Sequence, residues 1–107
     1  MSKGIVYVAG PMSGIEDLNF NAFNLEAYRL SLLGYEVVNP AEINPDKSTP
    51  WRKCMQNDVA ALVLCDAISL LPGWENSRGA TLEHDIATRM GHGIYNAGEL
   101  MGEDVHV

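Results

Sequence analysis

The sequence predicts a single α/β domain, a parallel sheet of strand order 2-1-3-4 with helices on both faces. Three observations lead there. Short apolar β-rich runs alternate with segments of helical period, Gly and Pro fall at the junctions, and 107 residues enclose one core and no more. Strands that alternate with helices form a parallel sheet because each right-handed crossover lays its helix back over the strands.

The first strand is read from Ile5, Val6, Tyr7, Val8 and Ala9, whose nearly continuous apolar character suits a central strand covered on both faces. Beyond a loop over residues 10–17, Phe20, Phe23, Ala27, Leu30 and Leu33 recur every three or four residues. Gly34 follows as a left-handed cap, which predicts the first helix. Residues 35–38 form a brief second strand. Asn39 and Pro40 then open a polar stretch that, with Pro45 and Pro50, is expected to be irregular. A second helix starts near Thr49, Pro50 and Trp51, carries Met55, Val59 and Leu62 on one face and ends near Cys65. The third strand covers residues 67–71 and is stopped by Pro72 and Gly73. Ser77 can cap a third helix with Leu82, Ile86 and Met90 along its buried stripe, ended by Gly91. A weak fourth strand is expected over residues 93–95, and the acidic tail beyond it offers no regular pattern. This is the order of a three-layer Rossmann/flavodoxin-like domain, where ligands bind above the carboxyl ends of the strands at which the order reverses. The loops over residues 10–17 and 72–78 should therefore face each other across a pocket.

Fourteen acidic residues against seven basic give a formal charge of -7. No cluster of Lys or Arg forms the footprint that a nucleic acid polymer requires, so none is expected as a partner. A small phosphate can still be held by Arg78, Arg52 or a helix N-terminus. Cys54 and Cys65 match neither a redox pair nor a zinc set and are expected to be reduced and packed. His84, His92 and His106 have no metal-ligand spacing, and no metal site is expected. The apolar run behind Met1, Ser2 and Lys3 is too short for a signal peptide, and no segment reaches the ~20 apolar residues that span a bilayer. A cytoplasmic protein with no membrane partner is the expectation.

The first loop, Gly10, Pro11, Met12, Ser13 and Gly14, contains two glycines that permit close backbone approach to a ligand. It lacks the GxGxxG spacing, and taken alone it equally describes a tight strand-to-helix turn. The second loop gathers Trp74, Ser77, Arg78, Gly79 and Glu83 around one helix start: an aromatic, a hydroxyl, a cation and a carboxylate. Glu83 lies about one turn into its helix beside Leu82, where it can point up toward the pocket, although a Glu in such a place commonly faces solvent. Tyr7, in mid-strand, needs a partner for a buried hydroxyl; a carboxylate from the neighbouring helix start would serve, as would backbone or water. Asp58 and Asp66 are separated by the helix rise, which puts Asp66 ~12 Å deeper. Asp58 is thus the acid candidate, and Asp66 is expected to bond at the opposite end of the third strand. Trp51 and Trp74 are expected at the rim, either as packing or stacked on a base, a contact worth ~1–3 kcal/mol.

These residues resemble a known family. Tyr7-Val8-Ala9-Gly10-Pro11, Asn57-Asp58, Cys65-Asp66 and Ser77-Arg78-Gly79-Ala80-Thr81-Leu82-Glu83 look like the nucleoside 2-deoxyribosyltransferase superfamily. The run from Leu71 through Trp74 to Ala80 resembles its small phage and prophage branch, and the similarity covers residues 5–90. The resemblance implies a retaining double displacement at a sugar carbon, with Glu83 as nucleophile, Tyr7 orienting it and Asp58 helping to protonate the departing base. The chemistry is sound, since a carboxylate stabilises an oxocarbenium-like transition state and can form a glycosyl ester, and it requires no cofactor. Ser77 stands where the transferases carry an acid, as it does in the similar deoxynucleoside 5'-monophosphate N-hydrolases, in which that serine contacts phosphate. Pro11 and Ser13 depart from the serine and arginine of those hydrolases. The implied partner is a small nucleoside or nucleotide, in a homodimer or higher homo-oligomer. The expected function is cleavage or transfer at the N-glycosidic bond of a (deoxy)nucleoside 5'-monophosphate; the alternative is a non-catalytic protein that sequesters a nucleotide-derived molecule.

Overall fold

The computed structural model describes residues 3–101; residues 102–107 of the acidic tail, with His106, lie outside the described residues. β1 (Ile5–Ala9) is one of the two inner strands of the sheet. It pairs in parallel with β2 (Glu36–Val38) on one side and β3 (Ala67–Leu70) on the other, and β4 (Gly93–Asn96) adds beyond β3. The order is β2-β1-β3-β4 and every pairing is parallel, a Rossmann/flavodoxin-like arrangement. Ile5 and Asp66 tie the start of this sheet: the Ile5 N–H donates to Asp66 Oδ2 at 2.8 Å. Asp66 therefore bonds at the end of β3 away from the carboxyl termini, as the helix-rise argument expects.

The two-residue period of β1 sorts its side chains between two cores. Val6 and Val8 pack with Phe23, Ala27 and Leu30 of α1 (Phe20–Leu32). Tyr7 and Ala9 turn to the other face, among Leu62, Ile68, Leu70 and Ala87, under α3 (Trp51–Leu62) and α4 (Arg78–Met90). Ser77 caps α4 by accepting from the Ala80 N–H at 3.2 Å, and Gly91 ends it in the left-handed region at φ 81°.

Two expectations are corrected. The stretch after β2 is not wholly irregular, because Asn39 Oδ1 accepts from the Ala41 N–H at 3.0 Å and Pro40 suits the first helical position. Together they start the short α2 (Pro40–Ile43). The expected buried stripe of α4 holds only at Ile86, which packs against the core: Leu82 is 42% and Met90 51% exposed, while Gly79, Ala80, Glu83 and Ala87 face inward. Small residues let the helix sit close. A Cβ on Gly79 would come within 3.1 Å of Met55 Sδ, so a large side chain on this face would force α3 and α4 apart. Gly10 has a similar reason, since a Cβ there would lie 2.7 Å from Leu71 Cβ, where the chain leaving β1 crosses the end of β3.

On the α1 side of the sheet a buried acid is fully partnered. Glu26 accepts from Arg29 at 2.7 and 2.9 Å, from the Ser69 hydroxyl at 2.7 Å and from the Gly98 N–H at 3.2 Å, while Arg29 also donates to Leu100 O at 2.6 Å. The cluster pins the segment after β4 to α1. Burial pushes the Glu26 carboxyl up, but the bonds from Arg29, Ser69 and Gly98 outweigh it and hold the group below the usual carboxylate range. Among the described residues no helix is long and apolar enough to cross a membrane.

Glu26→Ala removes the acceptor common to this cluster and leaves Ser69 and Arg29 short of a partner. It should cost about 2–4 kcal/mol, read from urea denaturation; a loss below about 0.5 kcal/mol would mean that the cluster contributes little.

Candidate active site

The carboxyl ends of β1 and β3 open into a cavity of about 560 Å³, within the size range of small-ligand pockets. Gly10, Pro11, Met12 and Ser13 of the first loop form one wall, and Asn76 to Ala80 at the start of α4 face them. α3 supplies a third side through Trp51, Cys54, Met55 and Asp58. The two loops therefore meet across a pocket at the reversal point, as the strand order requires.

Glu83 is 4% exposed and Asp58 5%, and both line the cavity. The Tyr7 hydroxyl donates to Glu83 Oε2, and Asn44 Nδ2 donates to Asp58 Oδ1 at 2.8 Å. Among the described residues no other hydrogen bond reaches either acid. Since no fully enclosed side-chain oxygen among the described residues lacks a partner, Glu83 Oε1 and Asp58 Oδ2 each keep some accessible surface, and both residues line the cavity.

Burial raises the Glu83 carboxyl to about 8; the Tyr7 hydrogen bond opposes the rise and the nearby Asp58 charge adds to it. Burial likewise raises Asp58 to about 6 against the bond from Asn44. Tyr7 is pushed well above its ordinary range by burial and by the charges of Glu83 and Asp58, so it stays a donor. Near neutral pH the two acids thus share one proton, an arrangement suited to acid and base work on a bound molecule.

The rim carries the cations. Arg78 stacks on the Trp51 ring, 3.5 Å from its centroid, and among the described residues no carboxylate pairs with it. Ser77 accepts from the Ala80 N–H, which leaves its own hydroxyl proton free to donate. Lys47 reaches the mouth from the connection between α2 and α3, pairing with Asp17. Asp17, Leu18 and Asn19 adopt left-handed backbone at φ 55°, 51° and 61°, which is uncommon for residues with side chains. Each is engaged: Asp17 on Lys47, Leu18 in the cavity wall, and Asn19 Nδ2 on Pro11 O at 3.0 Å.

Of the residues singled out from sequence, Tyr7, Asp58 and Glu83 are brought together. Gly10, Pro11, Met12, Ser13, Ser77, Arg78 and Gly79 line the cavity beside them. Gly14 does not line it; its φ of 80° marks a turn. Trp74 is also outside the lining, stacked instead on His84 with ring centroids 4.4 Å apart, so only Trp51 of the two tryptophans stands at the rim. Cys54 and Cys65 are free thiols, and no group of three His, Cys, Asp or Glu is arranged to hold a metal among the described residues. Sequence reasoning missed Asn44, Lys47, Thr49 and Cys54. The first three lie in or beside the stretch read as irregular, where the Asn39-Pro40 start signal was the available clue to an ordered wall.

Glu83→Gln keeps an acceptor for Tyr7 and removes the charge. Because the folded carboxyl titrates above its ordinary value, the wild-type protein loses stability as pH rises from the usual carboxylate range toward 8. The glutamine variant escapes that loss. Its Tm advantage should widen from about pH 5 to about pH 9 by about 5 °C or more in melts followed by circular dichroism; a constant gap would mean that Glu83 titrates as an exposed acid.

No curated protein matches the sequence. The family described as Domain of unknown function (DUF4406) matches residues 4–96, a span that contains the whole sheet, every helix named above and every residue of the cavity. The chain belongs to the DUF4406 family.

Proposed function

We propose that the protein cleaves the N-glycosidic bond of a (deoxy)nucleoside 5'-monophosphate, by hydrolysis or by transfer to a second base. The observation that carries this reading is Glu83, a buried carboxylate bonded by the Tyr7 hydroxyl and lining a nucleotide-sized cavity. The resemblance to nucleoside 2-deoxyribosyltransferases, resting on Tyr7, Asp58 and the segment from Ser77 to Glu83, points the same way.

In this mechanism Glu83 attacks the anomeric carbon as the bond to the base breaks, and the electron pair leaves with the base, which takes a proton from Asp58. The product is a glycosyl ester on Glu83. Water, giving a proton to Asp58, or a second base then opens the ester and restores the carboxylate. In the free site the shared proton resides on Glu83, the more basic of the two acids. Positive charge developing on the sugar favours the ionised Glu83, so the reactive form places that proton on Asp58. Tyr7 holds the nucleophile in place without giving up its own proton.

The 5'-phosphate suits the start of α4. Arg78 is already oriented by Trp51 and has no carboxylate partner among the described residues, Ser77 has a proton to donate, and the helix N-terminus favours an anion. The same reading extends to a homo-oligomer acting in phage-related nucleotide metabolism in the cytoplasm.

A second reading is favoured by one feature: the free site holds Glu83 protonated, which makes it a donor as well as an acceptor. A site of that kind can sequester a nucleotide-derived molecule without turnover.

Incubation with each deoxynucleoside monophosphate, followed by chromatography, should release free base, and Glu83→Gln should slow the release at least about 100-fold. The kcat/KM profile should be bell-shaped with limbs near 6 and 8, because below both values no nucleophile is ionised and above both no acid remains. Tight binding without base release, retained in Glu83→Gln, would instead establish sequestration. Arg78→Ala should raise KM for the monophosphate about 10-fold or more while leaving the matching nucleoside unaffected; equal effects on both would remove Arg78 from phosphate recognition.

A further inference from the structure

We propose that Asn44 is a positioning residue for Asp58, its amide fixing which carboxyl oxygen faces the cavity. The inference rests on the reading of Asp58 as the acid, and it concerns a residue that neither composition nor the resemblance singles out.

Asn44 is buried where the chain leaves α2, its backbone N–H donating to Pro40 O at 2.9 Å. Nδ2 donates to Asp58 Oδ1 at 2.8 Å, and Oδ1 accepts from Asn57 Nδ2 at 2.9 Å. The second bond supports the direction of the first. An asparagine amide is nearly symmetric in shape, and a half-turn about its last bond would set its carbonyl oxygen against the Asp58 carboxylate. An ionised Asp58 opposes the half-turn because a carboxylate only accepts, and Asn57 adds to this, since a turn of Asn44 alone would set its NH2 group against the Asn57 NH2. Asn57 and Asp58 are neighbours on α3, so the helix carries both the acid and the group that orients the acid's partner. With Oδ1 engaged on this side, Oδ2 is the oxygen that reaches a bound molecule.

The chemistry of the partner matters as much as its place. Glu83 faces Asp58 from α4, Tyr7 from β1 and Cys54 from one turn earlier on α3, and the charge of Asp58 acts on all three. Lys47 and Arg78 are the cations of the same cavity. A cation in the place of Asn44 would hold Asp58 ionised and deny it a proton to give. An apolar residue would leave it protonated and weakly acidic. A neutral donor lies between the two, supporting the carboxylate enough to offset part of the effect of burial, and so keeps the group able both to give and to take a proton near neutral pH.

The test is a carbon-13 carboxyl NMR titration of the full chain, with the Asp58 signal assigned through Asp58→Asn. In Asn44→Leu, Asp58 should bind its proton about 10-fold more tightly. The acidic limb of the base-release profile should move up by the same factor, with KM changed by less than about twofold. Asn57→Leu, which frees the Asn44 amide to turn, should shift Asp58 in the same direction by a smaller factor. An Asp58 titration unchanged in a cooperatively melting Asn44→Leu protein overturns the proposal. If that variant does not fold, an unchanged titration in Asn57→Leu overturns it instead. Absence of base release from the wild-type protein would defeat the glycosidase reading alone, since the titration still decides the role of Asn44.

Discussion

A carboxyl group enclosed between α4 and β1 is the constraint around which this end of the molecule is arranged. Glu83 is buried, and a buried acid without a partner costs several kcal/mol or gives up its charge. Tyr7 supplies the partner, and it can do so only because the alternation along β1 turns it to the α3 and α4 face while Val6 and Val8 go to the other. The same requirement sets the rotation of α4. To bring Glu83 to Tyr7 the helix must face inward with Gly79, Ala80 and Ala87 and leave Leu82 and Met90 outside. That choice gives up apolar burial worth ~1.5–3 kcal/mol for each large side chain, an arrangement that stability alone does not favour.

The second buried glutamate shows what a structural acid looks like in the same chain. Glu26, on the opposite side of the sheet, takes hydrogen bonds from Arg29, Ser69 and Gly98 and titrates below its usual range. Glu83 takes one bond among the described residues, from a phenol, sits near another acid and titrates well above the usual carboxylate range. Burial acts upward on both; the difference lies in how many donors answer it. A fully answered acid is locked in one protonation state and serves the fold. An acid left one oxygen short, with that oxygen on a cavity, retains the capacity to exchange a proton or to bond a ligand, and this unequal treatment is the physical ground for assigning function to one and structure to the other.

Much of the fold was legible because its signals are local. The apolar run from Ile5 to Ala9, the cap at Ser77 and the stop at Gly91 each act within a few residues, and strand-helix alternation with right-handed crossovers then leaves few topologies. Tyr7, Asp58 and Glu83 could be singled out because a central strand, a descending helix and a helix start have known directions. What could not be read depends on contacts far apart in sequence. The inward face of α4 is decided by the close approach of Gly79 to Met55 and by a tyrosine seventy-six residues away, and hydrophobic period alone favours the Leu82 face. Asn44 and Lys47 were hidden because their stretch is rich in Pro and Asn, so its order comes from the Asn39 cap and the bonds to Asp58 and Asp17 and not from any apolar pattern. Trp74 was misplaced for a related reason: its loop does border the pocket, but stacking on His84 takes the ring away from it.

Charge is distributed so that recognition of an anion must be a contact effect. The chain carries a net charge of -7, and its field at a distance opposes an anionic ligand, although salt screens that field beyond about 8–10 Å. Inside that range the rim dominates. Arg78 lies over the Trp51 ring, among the described residues no carboxylate pairs with it, and it stands at the first position of α4. Lys47 differs, because Asp17 already engages it; a ligand that uses Lys47 must first compete with that acid. The two cations are therefore not equivalent. Arg78 offers a charge that no carboxylate among the described residues engages, whereas Lys47 must first be released by Asp17, so an anion entering the proposed site would meet Arg78 at the start of α4 before Lys47 became available to it.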